Sequence, residues 1–460
     1  MKNLSIFVLV VALSLCTGAV YAAGLFLAPR GVVPLSKAGA HVASGGDLYA
    51  LDYNPAGLTR LEGLALLFDV AVPLHKTDFT RRSSDGSKTF PTVTGEGFML
   101  PSPTLAVHVP WGGFSWAAGL SADYPLMQNW PETLSDGSSA PQRYAVLNYK
   151  GTVVLKFSAA VAYEANDWLS LGLGLRILSG KFVSETVLST CDGFECQQPE
   201  NPDYDSKIRT SSGAFITPAV NVGILIAPIK ALALGLAFES PYFVSAETET
   251  ELRLPSAAVY DEVSVEPYPA AGKVSFTLPW VFRSGLAWKP SDFTSFEASF
   301  VWEQWSAHQS IKLEVENAVL KNVFGLGDVQ FADVDLPRKF RDTWSLRFGG
   351  NQSISLGETV DLDLRGGLMF EPSAVENTNL TAMAVDLDKW IISMGMGLKV
   401  GDYKFDIVYA LVLMLETEVE KSSIQQPTAT LPPWKGRTTI GEGLYSSQAH
   451  LLGIGFSVAL

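Results

Sequence analysis

Apolar residues return at every second position over stretches of about ten residues, the length of a barrel strand, each closed by a turn, along nearly the whole chain. One stretch reads Leu169, Leu171, Leu173, Leu175 and Ile177, with Ser170, Gly172, Gly174 and Arg176 between them. A two-residue period puts alternate side chains on opposite faces of an extended strand, one greasy and the other small or polar. The alternation recurs at Trp116, Ala118, Leu120 and Ala122, at Leu232, Leu234, Leu236 and Phe238, and at Trp390, Ile392, Met394, Met396, Leu398 and Val400. So many strands with one apolar face read as a transmembrane β-barrel.

Composition separates this from the alternatives. A chain of 460 residues is long enough for two or three soluble domains or one large barrel. Charged residues are only 17% and hydrophobic residues 47%, yet no long apolar block follows the first twenty residues, which fits a barrel better than a helical membrane protein. The net charge of -14 argues against a nucleic-acid partner and against a basic membrane-surface anchor. The acidic stretch from Glu247 to Glu266 is read as a solvated loop, with divalent ions bridging it to lipopolysaccharide as the alternative.

Residues 1–22 have the form of a secretory signal: Lys2, an apolar run from Ile6 to Leu15, and Val20-Tyr21-Ala22, which predicts cleavage after Ala22. Cys16 raises a lipoprotein alternative, opposed by the bulky Leu15 before it. Cys191 and Cys196 remain in the exported chain, where an even count pairs, two free thiols being the alternative. No Cys or His cluster with metal-ligand spacing accompanies them, so neither metal nor cofactor is expected.

Fourteen strands are expected, at 63–73, 103–109, 113–123, 149–163, 167–182, 213–227, 230–242, 273–289, 292–306, 341–354, 358–371, 389–400, 403–416 and 446–459. Tight turns at Pro110–Gly112, Glu164–Asn166, Pro228–Ile229, Pro290–Ser291 and Gly401–Asp402 alternate with polar excursions at 74–102, 124–148, 183–212, 243–272, 307–340, 372–388 and 417–445. Short turns on one side and long loops on the other suit an all-β, antiparallel outer-membrane barrel with both termini on the periplasmic, short-turn side. The last strand alternates Leu452, Ile454, Phe456, Val458 and Leu460 with small residues, and would close the barrel against the first. Residues 23–62 break the pattern: too apolar for a disordered tail, they run through Pro29, Pro34, Gly39, Gly45 and Gly46 to Asn54-Pro55-Ala56-Gly57-Leu58 and are expected inside the lumen.

From Ala23-Gly24 onward the chain resembles the FadL-type outer-membrane transporters of long-chain fatty acids and aromatic hydrocarbons. The resemblance is sharpest at Asn54-Pro55-Ala56, similar to the family's hatch signature. It continues through Ser275-Phe276-Thr277-Leu278-Pro279, Trp302-Glu303-Gln304-Trp305-Ser306 and Gly367-Leu368-Met369-Phe370-Glu371-Pro372-Ser373. It implies a signal at 1–22, a hatch (plug) at 23–62 and a fourteen-stranded barrel over 63–460. It further implies capture of a long-chain fatty acid or other lipophilic small molecule at extracellular loops, and sideways release into the membrane through a kink in the third strand. Gly112, Gly113 and Gly119 allow that strand to bend. Leu460 departs from the aromatic residue on which such barrels end for their assembly machinery.

Lys181 and Lys312 stand where the family places cations for a carboxylate head group. Tyr124, Leu126, Met127 and Trp130 make an unusually apolar loop, read as an outer capture groove or as interfacial anchors among lipid and lipopolysaccharide. Asp361, Asp363, Arg365, Arg283, Glu297, Glu303 and Arg347 face the lumen and are expected to pair with one another or with the hatch. Of His41, His75, His108, His308 and His450, only His108 is assigned a lumenal face, and none has a Ser and Asp arrangement for catalysis. The expectation is therefore a monomeric transporter and not an enzyme; an aromatic-hydrocarbon channel, a polar porin and an adhesive barrel are the rivals.

Overall fold

The computed structural model describes residues 26–27, 29–97, 101–122, 124–125, 128–191, 196, 198, 200–323, 327–331, 333–426 and 438–460. The expected export signal, Ala23-Gly24, Leu126 and Met127 lie outside them. Fourteen antiparallel strands close into one barrel. They are β1 (Ala65–Arg81), β2 (Ser102–Trp111), β3 (Phe114–Ala122), β4 (Val153–Asn166), β5 (Leu169–Lys181), β6 (Phe215–Ile229) and β7 (Leu232–Glu239). After these come β8 (Val281–Ser291), β9 (Thr294–Glu303), β10 (Thr343–Ser355), β11 (Val360–Glu371), β12 (Lys389–Val400), β13 (Tyr403–Met414) and β14 (Gly443–Ala459).

Each strand pairs with its sequence neighbours, and β1 closes the ring on β14 from Ala65↔Ala459 to Arg81↔Gly443. Leu64 and Leu460 exchange backbone hydrogen bonds of 3.1 and 2.8 Å, so both barrel ends lie on the short-turn side. On β5, Leu171, Leu173 and Leu175 project outward, whereas Ser170, Gly174 and Arg176 are buried inside. Aromatic residues ring both ends of the outer wall: Trp111, Phe114, Trp116 and Tyr163 near the turns, and Trp280, Trp302, Phe370 and Trp390 near the loops. Such girdles sit at the two membrane–water interfaces. Among the described residues no helix is long and apolar enough to cross a membrane.

The long connections differ from the expected polar excursions. Strand β1 runs eight residues past the expected end at 73, to Arg81. Three of the other connections are themselves β-structure: 183–189, 205–212, 242–253, 270–278, 310–315 and 334–337 form a six-stranded sheet standing on the barrel rim. Acidic and Thr residues at Glu247, Thr248, Glu249, Thr250 and Glu251 hide this strand, because above the membrane the outer face is polar while Val244, Ala246 and Leu252 point inward. The acidic stretch is thus sheet over 247–253, with Glu249↔Ser211 and Glu247↔Lys273 as cross-strand neighbours.

Residues 29–62 occupy the lumen. Two short helices, α1 (Val32–Ser36) and α2 (Ala50–Tyr53), are followed by a 3₁₀ turn over Pro55–Arg60. Asn54 caps that turn: its side chain accepts from Ala56 N at 3.2 Å, and Pro55 takes the first position, where a missing N–H loses nothing. The same Asn54 donates to Val42 O in the hatch and to Ile224 O on β6, at 2.9 and 3.1 Å. Close approach is possible because the wall is glycine there. A Cβ at Gly223 would lie 2.1 Å from Asn54 Oδ1, and one at Gly172 would lie 2.4 Å from Ala56 N.

Candidate functional site

The hatch is held by charge, as the lumenal carboxylates and cations suggested. Glu297 on β9 accepts three backbone N–H groups, from Val42, Ala43 and Ser44, at 2.5, 3.0 and 2.8 Å. Asp69 on β1 accepts from Val32 N at 2.9 Å and from Tyr49 OH at 2.5 Å. Arg176 on β5 donates to Leu51 O and Asp52 O at 3.2 and 2.7 Å, and Lys156 on β4 pairs with Asp52 at 3.0 Å. Arg365 bridges Asp406 and Asp363 at 2.6 and 2.7 Å. Buried charges of this kind persist only when paired and hydrogen-bonded. His75 corrects the assignment of His108 as the lone lumenal histidine, for it too is buried on the inner face.

Between the hatch and the rim sheet lies a packed apolar core that includes Trp305, Phe340, Phe215, Tyr242 and Leu278. Two recognised sequence motifs build its polar corner. In Trp302-Glu303-Gln304-Trp305-Ser306, the 3₁₀ turn at Trp305–Ala307 swings Trp305 inward, where Nε1 donates to Glu303 at 2.7 Å. In Ser275-Phe276-Thr277-Leu278-Pro279, Thr277 O meets His308 Nδ1 at 2.9 Å and the Phe276 ring lies edge-on to His308 at 5.7 Å.

Arg338 and His308 sit together in this corner, 8% and 0% exposed. No carboxylate pairs with Arg338 among the described residues; its charged and polar neighbours are Tyr149 and His308, and its guanidinium lies 6.0 Å from the Phe340 ring centroid. Burial pushes the Arg338 guanidinium below its usual value, and burial followed by Arg338 pushes His308 down to about 4. Arg338 Nε and His308 Nε2 have no hydrogen-bond partner. A buried guanidinium with no carboxylate partner among the described residues, beside a neutral imidazole and rings from Trp305, Phe340 and Phe276, has the chemistry to hydrogen-bond an anion carried on an apolar body.

The lysines expected in that role are elsewhere. Lys181 falls on the outward row of β5 with Leu173 and Leu175, because odd positions there face out, and it is exposed. Lys312 lies exposed on the rim sheet, opposite Ser275 and Asp335. Trp130 is no surface residue: it is 5% exposed, packs on Gly95 and donates from Nε1 to Ala382 O at 3.1 Å. The backbone of Tyr124–Pro125 pairs with Phe26–Leu27 at the start of the hatch. Cys191 and Cys196 are joined by a disulfide in the connection between β5 and β6. Arg338 and His308 stand outside any strand pattern, so alternation did not select them.

The glycines expected to let the third strand bend serve other ends. Gly112 and Gly113 form the β2–β3 turn with φ of 63° and 81°, and Gly119 makes room for Leu51 of the hatch. Among the described residues the β2–β3 pairing runs from Trp111↔Phe114 to Thr104↔Ser121, and beyond these strands Gly97↔Gln128 keeps the same register. On the other side the described β3–β4 pairing runs to Ala122↔Leu155, and Trp130 N meets Leu147 O at 2.7 Å in the register that pairing sets.

A closed barrel that carries its own plug is a membrane-transport architecture. The chain belongs to the outer membrane protein transport protein family (OMPP1/FadL/TodX), whose sequence pattern matches residues 13–459. Members are outer-membrane transporters of hydrophobic compounds. Among solved structures, a Pseudomonas aeruginosa FadL homologue superposes with a TM-score of 0.75 at 16% identity, covering 95% of this chain and 100% of its own. The Pseudomonas putida toluene transporter TodX gives 0.65 at 13%, covering 96% and 100%, and the Ralstonia pickettii toluene transporter TbuX gives 0.61 at 15%, covering 94% and 98%. No curated relative matches the chain. At these identities the structural likeness concerns the fold alone.

Proposed function

We propose that this transporter carries amphiphiles with an anionic head, long-chain fatty acids being the fitting class, and releases them sideways into the membrane through a kink in the third strand. The observation that supports the acid over a neutral aromatic is Arg338, buried without a carboxylate beside the Trp305, Phe340 and Phe276 rings. A carboxylate there gains charge-assisted hydrogen bonds, whereas toluene would leave the cation unpaired. Lateral release fits because the polar, hatch-filled lumen offers no greasy path onward, while the membrane lies just outside β3. In this reading residues 1–22 direct export, the termini are periplasmic and the rim sheet faces outward, with a monomer as the working unit.

The test is ligand binding followed by Trp305 fluorescence, with lipids extracted from the purified protein identified by mass spectrometry. Arg338→Leu is expected to weaken a long-chain acid by about 10- to 100-fold and to leave toluene binding unchanged. Tight toluene binding with no response to the acid would reverse the assignment.

A further inference from the structure

The two unpaired nitrogens of the Arg338 corner are a donor and an acceptor. Thr277 O can only accept, so His308 Nδ1, which meets it at 2.9 Å, carries the ring hydrogen. A neutral imidazole has one N–H, which leaves Nε2 as a bare lone pair. That Nε2 is buried without a hydrogen-bond partner, and so is the N–H at Arg338 Nε. The ring's other surroundings are apolar: Phe276 and Trp305 stand edge-on to it at 5.7 and 6.1 Å, and Phe340 lies 5.1 Å away.

An anionic head alone satisfies only one of the two nitrogens. A carboxylate accepts from Arg338 Nε, but its oxygens have no hydrogen to give His308 Nε2. Two lone pairs would then face each other in a buried corner, where an unmade hydrogen bond is costly. One proton between a carboxyl oxygen and Nε2 removes the conflict. The groups around His308 do not supply it. Arg338 is the charged group that acts on the ring; Tyr149, which reaches Arg338, donates its own hydrogen to Met383 O; and Glu303 is turned to Trp305 Nε1. The proton is therefore taken from water. In the empty site burial and then Arg338 keep the imidazole neutral above about pH 4. A free carboxylic acid is ionised above about pH 5, so near neutrality neither partner brings the proton with it.

We infer, on the Arg338 reading above, that each fatty acid is bound together with one proton, held between its carboxyl group and His308 Nε2. Arg338 selects an acidic head, and His308 makes its capture depend on pH. Binding of the acid tightens as pH falls, by about tenfold per unit between about pH 8 and about pH 6.

The experiment is titration calorimetry of the full-length protein in detergent with dodecanoic acid, run in phosphate and in Tris, with the heat of titration into detergent alone subtracted. The two buffers release protons with different heats, so the difference counts the protons taken up. Uptake of about one proton per acid is expected, with a Kd that rises about tenfold per pH unit. Dodecanol, which brings its own O–H, should take up none. In His308→Gln the carboxamide donates to a carboxylate directly, so uptake should vanish and the affinity for the acid should level out with pH. If His308→Gln does not assemble, the proton count of the wild type decides. Acid bound with no proton taken up, or uptake that persists in His308→Gln or with dodecanol, overturns the inference and leaves the Arg338 reading standing. No binding of the acid by the wild type removes the Arg338 reading itself, and this inference with it.

Discussion

At the scale of single residues, burial without a partner is the strongest functional signal in this protein. The His308 imidazole is held down to about 4 by burial and then by Arg338, against about 6.5 in an unfolded chain. Between those values the unfolded chain binds a proton that the folded one does not. The imidazole therefore favours unfolding progressively as pH falls from about 6.5 to 4, and has no effect above that window. His308→Gln should abolish this component: melting followed by Trp305 fluorescence is expected to fall more steeply with acid in the wild type than in the variant. Equal slopes would mean that His308 is not buried as described. Positions like this were not legible in advance. Lys181 and Lys312 have the charge for a head-group site, but two-residue parity puts Lys181 outside, on the row of Leu171, Leu173 and Leu175.

At the scale of elements, the hatch and the strands it touches form one fitted pair. Glu297→Ala removes the acceptor of three buried N–H groups and is expected to loosen the hatch by about 3 kcal/mol, read as faster amide exchange at Val42, Ala43 and Ser44. Protection equal to wild type would show that other contacts carry the segment. Gly223→Leu tests the opposite fault, overpacking. Its side chain would collide with Asn54 and Pro55, so the hatch should shift and ion conductance in planar bilayers should rise, the barrel itself staying intact. The strands were legible because lipid on one side and hatch on the other enforce alternation. The rim sheet was not, because beyond the membrane its outer face is polar, and Asp, Glu and Thr there read as loop. Lumenal glycines at 172, 223, 235 and 367 were a missed signal: where a strand's inner row turns to glycine, another backbone lies against it.

At the scale of the whole molecule, closure of the barrel and filling of its lumen are separable. The β1–β14 ladder runs along all of β1 without help from residues 29–62. A chain lacking 23–62 is thus expected to keep the barrel's heat-dependent gel migration while conducting ions freely, its lumenal carboxylates and cations becoming hydrated. Loss of the folded band would instead make the hatch part of the barrel's own stability.

The register on either side of the third strand has a mechanical meaning. Gly97↔Gln128 keeps the register of Thr104↔Ser121, and Trp130 N meets Leu147 O in the register of Ala122↔Leu155, so the wall is like cloth whose threads keep their count from hem to hem. A slip of one residue would turn every outward side chain inward, and no slip separates these two ends.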